Sequence, residues 1–413
     1  MRLLHTSDLH LGRSLHGVNR DATFEKLLAW LLDTLRQEAV DCLIVSGDVF
    51  DNATPSHRMQ RAYYRFLASI AANTQCRHVV ITAGNHDSPS LLEAPDTLLE
   101  ALNIHVVGRA GENPADETRL LKDAAGNPEA VVIAVPYLRE SDLRTSTENE
   151  TQQDKESKIR AATAAHYRRA VDAALLLRGA SNIPVIACGH LFAAGCEEID
   201  EERSLYVGSL GLIPADAFPA EIDYLALGHL HKAQCLAGIP TRRYSGSPLV
   251  LDFSERNAVK SICLADFSGR ACSVRTLPVP AFDTLVRIEG SEAVVRQSLA
   301  RLVEQGRPVL CEVRHNEGIF APDLASACRD LVQDSPVTLV RVISQALGLA
   351  LLSPDENISD VEAVTPQEMF ELFLRKQQEN GLELDDALRS QLVEAHAEIL
   401  NTLREAGSPI CEF

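Results

Sequence analysis

The sequence predicts an α/β fold of parallel strands joined by crossover helices. Three observations carry that expectation. Apolar runs of strand length alternate with amphipathic segments of helix length from residue 2 to residue 82. Five such runs are followed at once by carboxylate, imidazole or amide side chains, at the place where open α/β sheets bind ligands. A second, shorter alternation of strand and helix recurs over residues 283–344.

In chain order, residues 2–6 form the first strand, and Ser7-Asp8-Leu9-His10-Leu11-Gly12 leaves it. Over 22–39, Phe24, Leu27, Leu28, Leu31, Leu32 and Leu35 recur at helical spacing. Cys42-Leu43-Ile44-Val45 is the next buried strand and ends in Ser46-Gly47-Asp48-Val49-Phe50-Asp51. A second helix runs over 56–72, with Ser56 or Thr54 as its cap. Residues 78–82 are the third strand, left by Gly84-Asn85-His86-Asp87. The crossovers are expected to be right-handed.

Residues 109–130 carry turn signals, and 131–135 is a strand. The strongly polar stretch 140–158 reads as a mobile surface loop, followed by a helix over 159–177. Strands at 185–188 and 224–227 end in Gly189-His190 and Gly228-His229-Leu230-His231. From Arg243 to Phe267 the pattern suggests further, antiparallel strands.

Composition changes after 278–280. Strands at 285–288, 309–313 and 337–342 then alternate with helices at 292–305 and 321–332, a small α/β domain with no catalytic cluster. Two amphipathic helices are expected in 367–405, broken near Asn380-Gly381. Phe370, Phe373 and Leu374 stripe the first, and Leu388, Leu392, Ala395, Ile399 and Leu403 the second. The expected layout is a catalytic domain over 1–277, a small domain over 278–345, a linker over 346–366 and a helical segment over 367–413.

At 413 residues the chain is long enough for two or three domains. Its net charge of −19 weighs against a protein that grips nucleic acid by a broad basic face. An enzyme whose bound cations create a local positive site remains compatible, and a partner could supply basic surface. The N-terminus runs straight into a strand without a signal peptide, and no apolar run is long enough to span a bilayer. Ten cysteines without a C-x-x-C pair read as reduced thiols of a cytoplasmic protein.

A lone Gly-Asp or Gly-His after a strand is turn chemistry. Asp8 and His10, Asp48 and Asp51, Asn85, His86 and Asp87, His190, and His229 and His231 together are harder to explain that way. Five strand ends point them at one crevice. Oxygen and imidazole ligands without thiolate suit Mn²⁺, Fe²⁺ or Zn²⁺ better than Ca²⁺. The set is too large for one ion and is well used by two, with a bridging carboxylate. Such a pair about 3.5–4 Å apart activates water for phosphoryl displacement. His5, His16, His57, His78, His105, His166, His315 and His396 have no such company. Of these, His5 and His78 are expected in strands and the others in loops or on helix surfaces.

Asp8-x-His10, Gly47-Asp48, Gly84-Asn85-His86-Asp87, Gly189-His190 and Gly228-His229-x-His231 resemble the full motif set of the calcineurin-like metallophosphoesterases. Ser7–Gly12, Gly47–Asp51 and Ser245-Gly246-Ser247-Pro248, with the length and domain order, narrow the resemblance. They resemble bacterial exonuclease subunits related to the Mre-type nucleases of double-strand-break repair. The resemblance implies two mixed sheets packed face to face between helices, rather than one doubly wound sheet. It makes 278–345 a capping domain that shapes DNA access.

The same resemblance implies roles for the residues. Asp8, His10, Asp48 and His231 would hold a first metal. Asp48 would bridge, and Asn85, His190 and His229 would complete a second. His86 would act on the transition state or the leaving oxygen, with the Asp51 carboxylate orienting it. Asp87, to which the resemblance assigns no role, reads as a structural turn carboxylate. Many protein phosphatases of the superfamily carry arginine after the aspartate corresponding to Asp51; Asn52 stands here and counts against that activity.

The implied cofactor is a pair of divalent ions, Mn²⁺ first. The implied activity is double-strand exonuclease and single-strand or hairpin endonuclease in DNA repair and recombination. The implied partners are DNA ends and hairpins, a second copy of the chain within a heterotetramer, and an ATPase. The base of that ATPase's coiled coil would receive Phe370, Phe373, Leu374, Leu388 and Leu392; packing of that helix pair on the chain itself is the alternative. Two other readings are a phosphoesterase of small phosphodiesters or nucleotides and an inactive end-tethering scaffold. Arg13, Arg20 and Arg58 are the loop cations nearest the motifs.

Overall fold

The computed structural model describes residues 1–143, 151–194, 213–316 and 322–344, with Phe370, Leu374, 388–393 and 395–396. The chain divides into two units, Met1–Thr284 and Leu285–Phe413.

The first unit is built on two six-stranded sheets. The first carries β1 (Arg2–Thr6), β2 (Cys42–Ser46), β3 (His78–Thr82) and β4 (Ile104–Val107). The second carries β5 (Thr118–Lys122), β6 (Pro128–Ala134), β7 (Val185–His190), β8 (Tyr224–Gly228), β9 (Gln234–Cys235) and β10 (Arg242–Tyr244). The chain then returns to the first sheet as β11 (Ser261–Ser268) and β12 (Ala271–Pro278). The orders are β12-β11-β1-β2-β3-β4 and β5-β6-β7-β8-β10-β9. In the first sheet β1 to β4 are parallel, and β11 and β12 extend one edge by antiparallel pairing; in the second β6, β7, β8 and β10 are parallel, and β5 and β9 close the two edges antiparallel.

Strand alternation explains the layering. In β2, Cys42 and Ile44 face the same core as Val132, Ile186 and Tyr224 of the second sheet. Leu43 and Val45 face the opposite way, toward Phe24, Leu27, Leu31 and Tyr63. Those residues belong to α1 (Asp21–Gln37) and α2 (His57–Asn73). On the far side, Ile133, Ala187 and Leu225 pack under Tyr167, Val171 and Ala174. Both sheets are therefore covered on both faces, as the continuous apolar runs require. This is the two-sheet sandwich between helices that the resemblance implies, and not a single doubly wound sheet.

Short α3 (Pro89–Glu93), α4 (Asp96–Glu100) and α5 (Glu140–Leu143) precede α6 (Gln152–Arg178). The last is a correction to the loop expected over 140–158. Thr151 accepts from the Asp154 backbone N–H while Asp154 reaches back to the Thr151 N–H, a capping box that starts the helix early. Residues 278–284, assigned from the sequence to the second domain, group with the first unit. Val279 lies in its core, and Asp283 receives Arg20 and Thr23.

The second unit has a parallel sheet ordered β13 (Leu285–Gly290), β14 (Val309–His315), β15 (Val337–Ser344). Between the strands run α7 (Glu292–Gln305) and α8 (Pro322–Val332). Ile288, Val295, Leu299, Cys311, Val313 and Cys328 form its core. His105 and His315, expected outside strands, lie in β4 and β14.

Of the residues assigned to partner binding, Phe373 lies outside the described residues. Phe370 stacks on His396 with ring centroids 4.1 Å apart, and Leu374 is buried. Those two side chains are engaged within the chain itself, whereas Leu388 is 43% exposed and Leu392 half-buried. Among the described residues no helix is long and apolar enough to cross a membrane, and the cysteines are free.

Candidate metal centre

The carboxyl ends of β1, β2 and β3 in one sheet and of β7 and β8 in the other converge on one crevice. The loops after β1 and β2 extend the strand pairing: Asp8 donates from its N–H to Gly47 O, and His10 to Asp48 O, both at 3.0 Å. Four side chains of the crevice sit on left-handed backbone: Asp8 (φ 51°), His10 (44°), Asp48 (48°) and His229 (102°). Asp and His tolerate this region better than most residues, and such outliers cluster at functional sites. Gly84 is required by close approach, since a Cβ there would lie 2.0 Å from Asp48 Oδ1.

All seven residues expected to hold metal are brought together. In one half, Asp8, His10 and His231 offer ligand atoms within 4.8 Å of one another. In the other, Asp8, Asp48 and His190 do the same. Asn85 Oδ1 lies 3.1 Å from His190 Nε2 and 3.2 Å from His229 Nδ1. Asp48 Oδ2 stands between the halves, 3.5 Å from His10 Nε2 and 3.3 Å from His190 Nε2.

The donor chemistry tests whether cations fit. His10 Nδ1 faces Asp51 Oδ1 at 3.3 Å, and His231 Nδ1 faces Glu255 Oε1 at 3.4 Å. A carboxylate beside each Nδ1 places the proton there. The two Nε2 atoms, 3.2 Å apart, then present lone pairs to each other. His190 repeats the pattern. Its Nδ1 lies 2.9 Å from the Ser46 carbonyl oxygen, so its Nε2 lone pair faces Asp48 Oδ2 and Asn85 Oδ1. Acceptors facing acceptors at these distances fit a cation between them.

The electrostatics agree. Burial lowers His10 to about 4 and His229 to about 3, which keeps both neutral and able to ligate. Burial also opposes charge on His190, yet Asp48 and Asp8 raise it to about 9: a proton on Nε2 would take the place of the cation that its lone pair could otherwise hold, so positive charge is favoured at this point. Burial alone would raise Asp48, but His190 and His10 hold it well below the usual carboxylate range. Asp8, buried and beside Asp48, is raised to about 6.

His86 borders the same cluster, with a ligand-type atom within 4.8 Å of those of His10 and Asp48. Its backbone N–H donates to Asp48 Oδ1 at 3.0 Å. Its Nδ1 lies 2.9 Å from the backbone carbonyl of Asp51. The contact expected from the Asp51 carboxylate is made by its main chain instead: the carboxylate turns to His10 and to Arg13 Nη1, 3.4 Å away. Asp87 accepts from the N–H groups of Val49, Phe50 and Gly84 at 2.9–3.0 Å and is buried. It ties the second and third motif loops together.

Of the three arginines, Arg13 stands at the site. Arg20 is buried against Asp283 and the Val250 carbonyl, and Arg58 pairs with Glu25 on α1. Two residues not singled out from the sequence stand at the site: Ser7, which donates to Asp8, and Tyr137, whose ring centroid lies 6.2 Å from that of His190 and 6.4 Å from that of His229. Glu255, facing His231, is a third. Ser7 adjoins a motif and could have been found; nothing local marks the other two.

Comparison with known proteins places these features. The model of the calcineurin-like phosphoesterase family matches residues 1–233. The type 5 capsule protein repressor C-terminal domain matches residues 281–378. The chain is 33% identical over 406 residues to the SbcD subunit of nuclease SbcCD from Escherichia coli (strain K12), with 98% of each chain covered. It is 37% identical over 321 residues to the SbcD subunit from Rhodobacter capsulatus, covering 75% of this chain and 77% of the relative. The Bacillus subtilis protein of the same name is 32% identical over 269 residues, covering 64% and 66%.

Proposed function

The chain belongs to the calcineurin-like phosphoesterases, in the family of the SbcD subunit of nuclease SbcCD, and from that premise we propose that it hydrolyses DNA phosphodiester bonds as the nuclease partner of an SbcC-type ATPase. The observation that carries the reading is the cluster of facing acceptors formed by Asp8, His10, Asp48, Asn85, His190, His229 and His231. These residues would hold two divalent cations, with Mn²⁺ the first candidate for an oxygen–imidazole set. When bound, such ions neutralise phosphate charge and acidify water toward neutral pH.

The chain's own groups supply the rest. With Nδ1–H donated to the Asp51 carbonyl, His86 turns Nε2 toward the reacting phosphate, where a second proton, carried on Nε2 in the imidazolium form, would pass to the departing sugar oxygen and leave the imidazole neutral. Asp48 spans the two halves and also accepts from the His86 backbone, so one carboxylate fixes the His86 main chain relative to the metal positions. Arg13 is the candidate for a neighbouring phosphate.

With a net charge of −19, most phosphate contacts would come from the ATPase partner or from a few local cations such as Arg13. Leu388, 43% exposed, and half-buried Leu392 would contribute to a groove-type contact with that partner. A pair of chains in a heterotetramer, acting on ends and hairpins in the cytoplasm, completes the proposal.

The same acidity favours one other reading, hydrolysis of a small phosphodiester. A nuclease assay on double-stranded ends and hairpins decides between them, comparing Mn²⁺ with Mg²⁺, with and without the ATPase and ATP. The proposal expects Mn²⁺-dependent DNA cleavage that the ATPase and ATP stimulate. Turnover of a model phosphodiester with DNA untouched under every condition would replace it.

A further inference from the structure

The segment Ser245-Gly246-Ser247-Pro248 marks the sequence but contributes no metal ligand, and the structure shows what it touches. Ser245 Oγ lies 2.7 Å from Ser7 Oγ, and Ser7 in turn donates to the Asp8 carboxylate. Two residues on, the Ser247 N–H donates to the His231 carbonyl at 3.2 Å. Gly246 has φ +74°, and a Cβ there would lie 2.8 Å from His231 O and 2.7 Å from Ala233 N. The turn thus presses against the backbone of one ligand and reaches a second through one hydroxyl.

Behind it sits a buried ion pair. Lys260 Nζ donates to Ser247 Oγ at 2.7 Å and to His231 O at 3.2 Å, and it pairs with Glu255 Oε2 at 2.8 Å. The three protons of the ammonium are matched by three acceptors. Glu255 Oε2 also accepts from the Leu251 N–H at 3.0 Å, which leaves Oε1 to face His231 Nδ1 at 3.4 Å. Glu255 and Lys260 are 6% and 9% exposed. A buried charge pair costs desolvation and is weak evidence for stability by itself. Here both members end on one imidazole residue.

We propose that Glu255, locked by Lys260 and the Ser245–Ser247 turn, is a positioning residue for the half-site of Asp8, His10 and His231. It fixes the His231 proton on Nδ1 and aims Nε2 at the cation. The proposal rests on the metal reading above. Loss of such an outer partner typically weakens metal affinity about 10–100-fold.

The test is titration of the full chain with Mn²⁺ alone by calorimetry, with the unfolding temperature measured separately in chelator. Wild type is expected to bind two ions. Glu255→Gln is expected to lose about 10–100-fold in affinity at one site and to keep the other. Because it leaves Lys260 unpaired, the double variant Glu255→Gln/Lys260→Met, which removes both buried charges, is measured beside it. It should unfold near the wild-type temperature in chelator and still show one weakened site. A wild-type chain that binds no Mn²⁺ removes the metal reading and this proposal together. Two intact sites in Glu255→Gln, or in the folded double variant, overturn the proposal alone.

Discussion

His86 is held by the main chain of Asp51 and not by its carboxylate: the Nδ1 of His86 lies 2.9 Å from the Asp51 carbonyl, while Asp51 Oδ1 lies 3.3 Å from His10 Nδ1. The division has a consequence for mutagenesis. Asp51→Asn leaves the carbonyl in place, so the orientation of His86 should survive. What it weakens is the carboxylate partner of a metal-facing imidazole. The expected outcome is a loss of about 10-fold or more in Mn²⁺ affinity, with kcat largely recovered at saturating Mn²⁺. Kinetics at graded Mn²⁺ read this directly. A kcat that stays low at saturation would place the carboxylate in the chemical step.

Gly84 tests the packing of the centre. An alanine Cβ there would fall 2.0 Å from Asp48 Oδ1 and 2.4 Å from Asp48 N. Neither can be a bystander, since Asp48 spans both halves of the site. Gly84→Ala should cost about 1–3 kcal/mol of stability and displace the bridging carboxylate. Denaturant unfolding and metal stoichiometry measured together would check both effects.

Acid stability should carry the signature of His5. It is fully buried in β1, with Nδ1 3.0 Å from the Tyr224 hydroxyl, and burial lowers it from 6.5 to about 3. The unfolded chain then binds a proton between those values that the folded chain refuses. This part of the stability is present above about pH 6.5 and is lost as pH falls toward 3, on the order of 5 kcal/mol in all. His5→Gln, which keeps a partner for Tyr224, should flatten that limb of the stability curve. An unchanged pH profile in the variant would show that His5 is not its source.

The site was legible because its parts follow buried strands. Each apolar run ended in polar residues, and all seven side chains proposed to hold metal stand at or after the ends of β1, β2, β3, β7 and β8. The small domain was equally readable, since strand and helix periods alternate there without interruption. Other features depend on contacts distant in sequence. Nothing near Arg242 reveals that β10 lies parallel to β8 across the second sheet. The backbone turn at Asp51, which sends its carboxylate to His10, is likewise invisible in the motif. Glu255 lies in a polar loop and meets His231 only in the folded chain. One miss was avoidable: Thr151 and Asp154 stand at capping-box spacing, but the polar composition around them suggested a loop.

Nuclease activity by the proposed route needs two cations in the seven-residue cluster and His86 beside them to carry the proton. The most direct measurement is Mn²⁺-dependent DNA cleavage by His86→Ala, with bound metal quantified in the same preparation. The expected result is near-normal metal content and a fall in cleavage of about 10²–10⁴-fold. Full cleavage by that variant with both ions bound would contradict it.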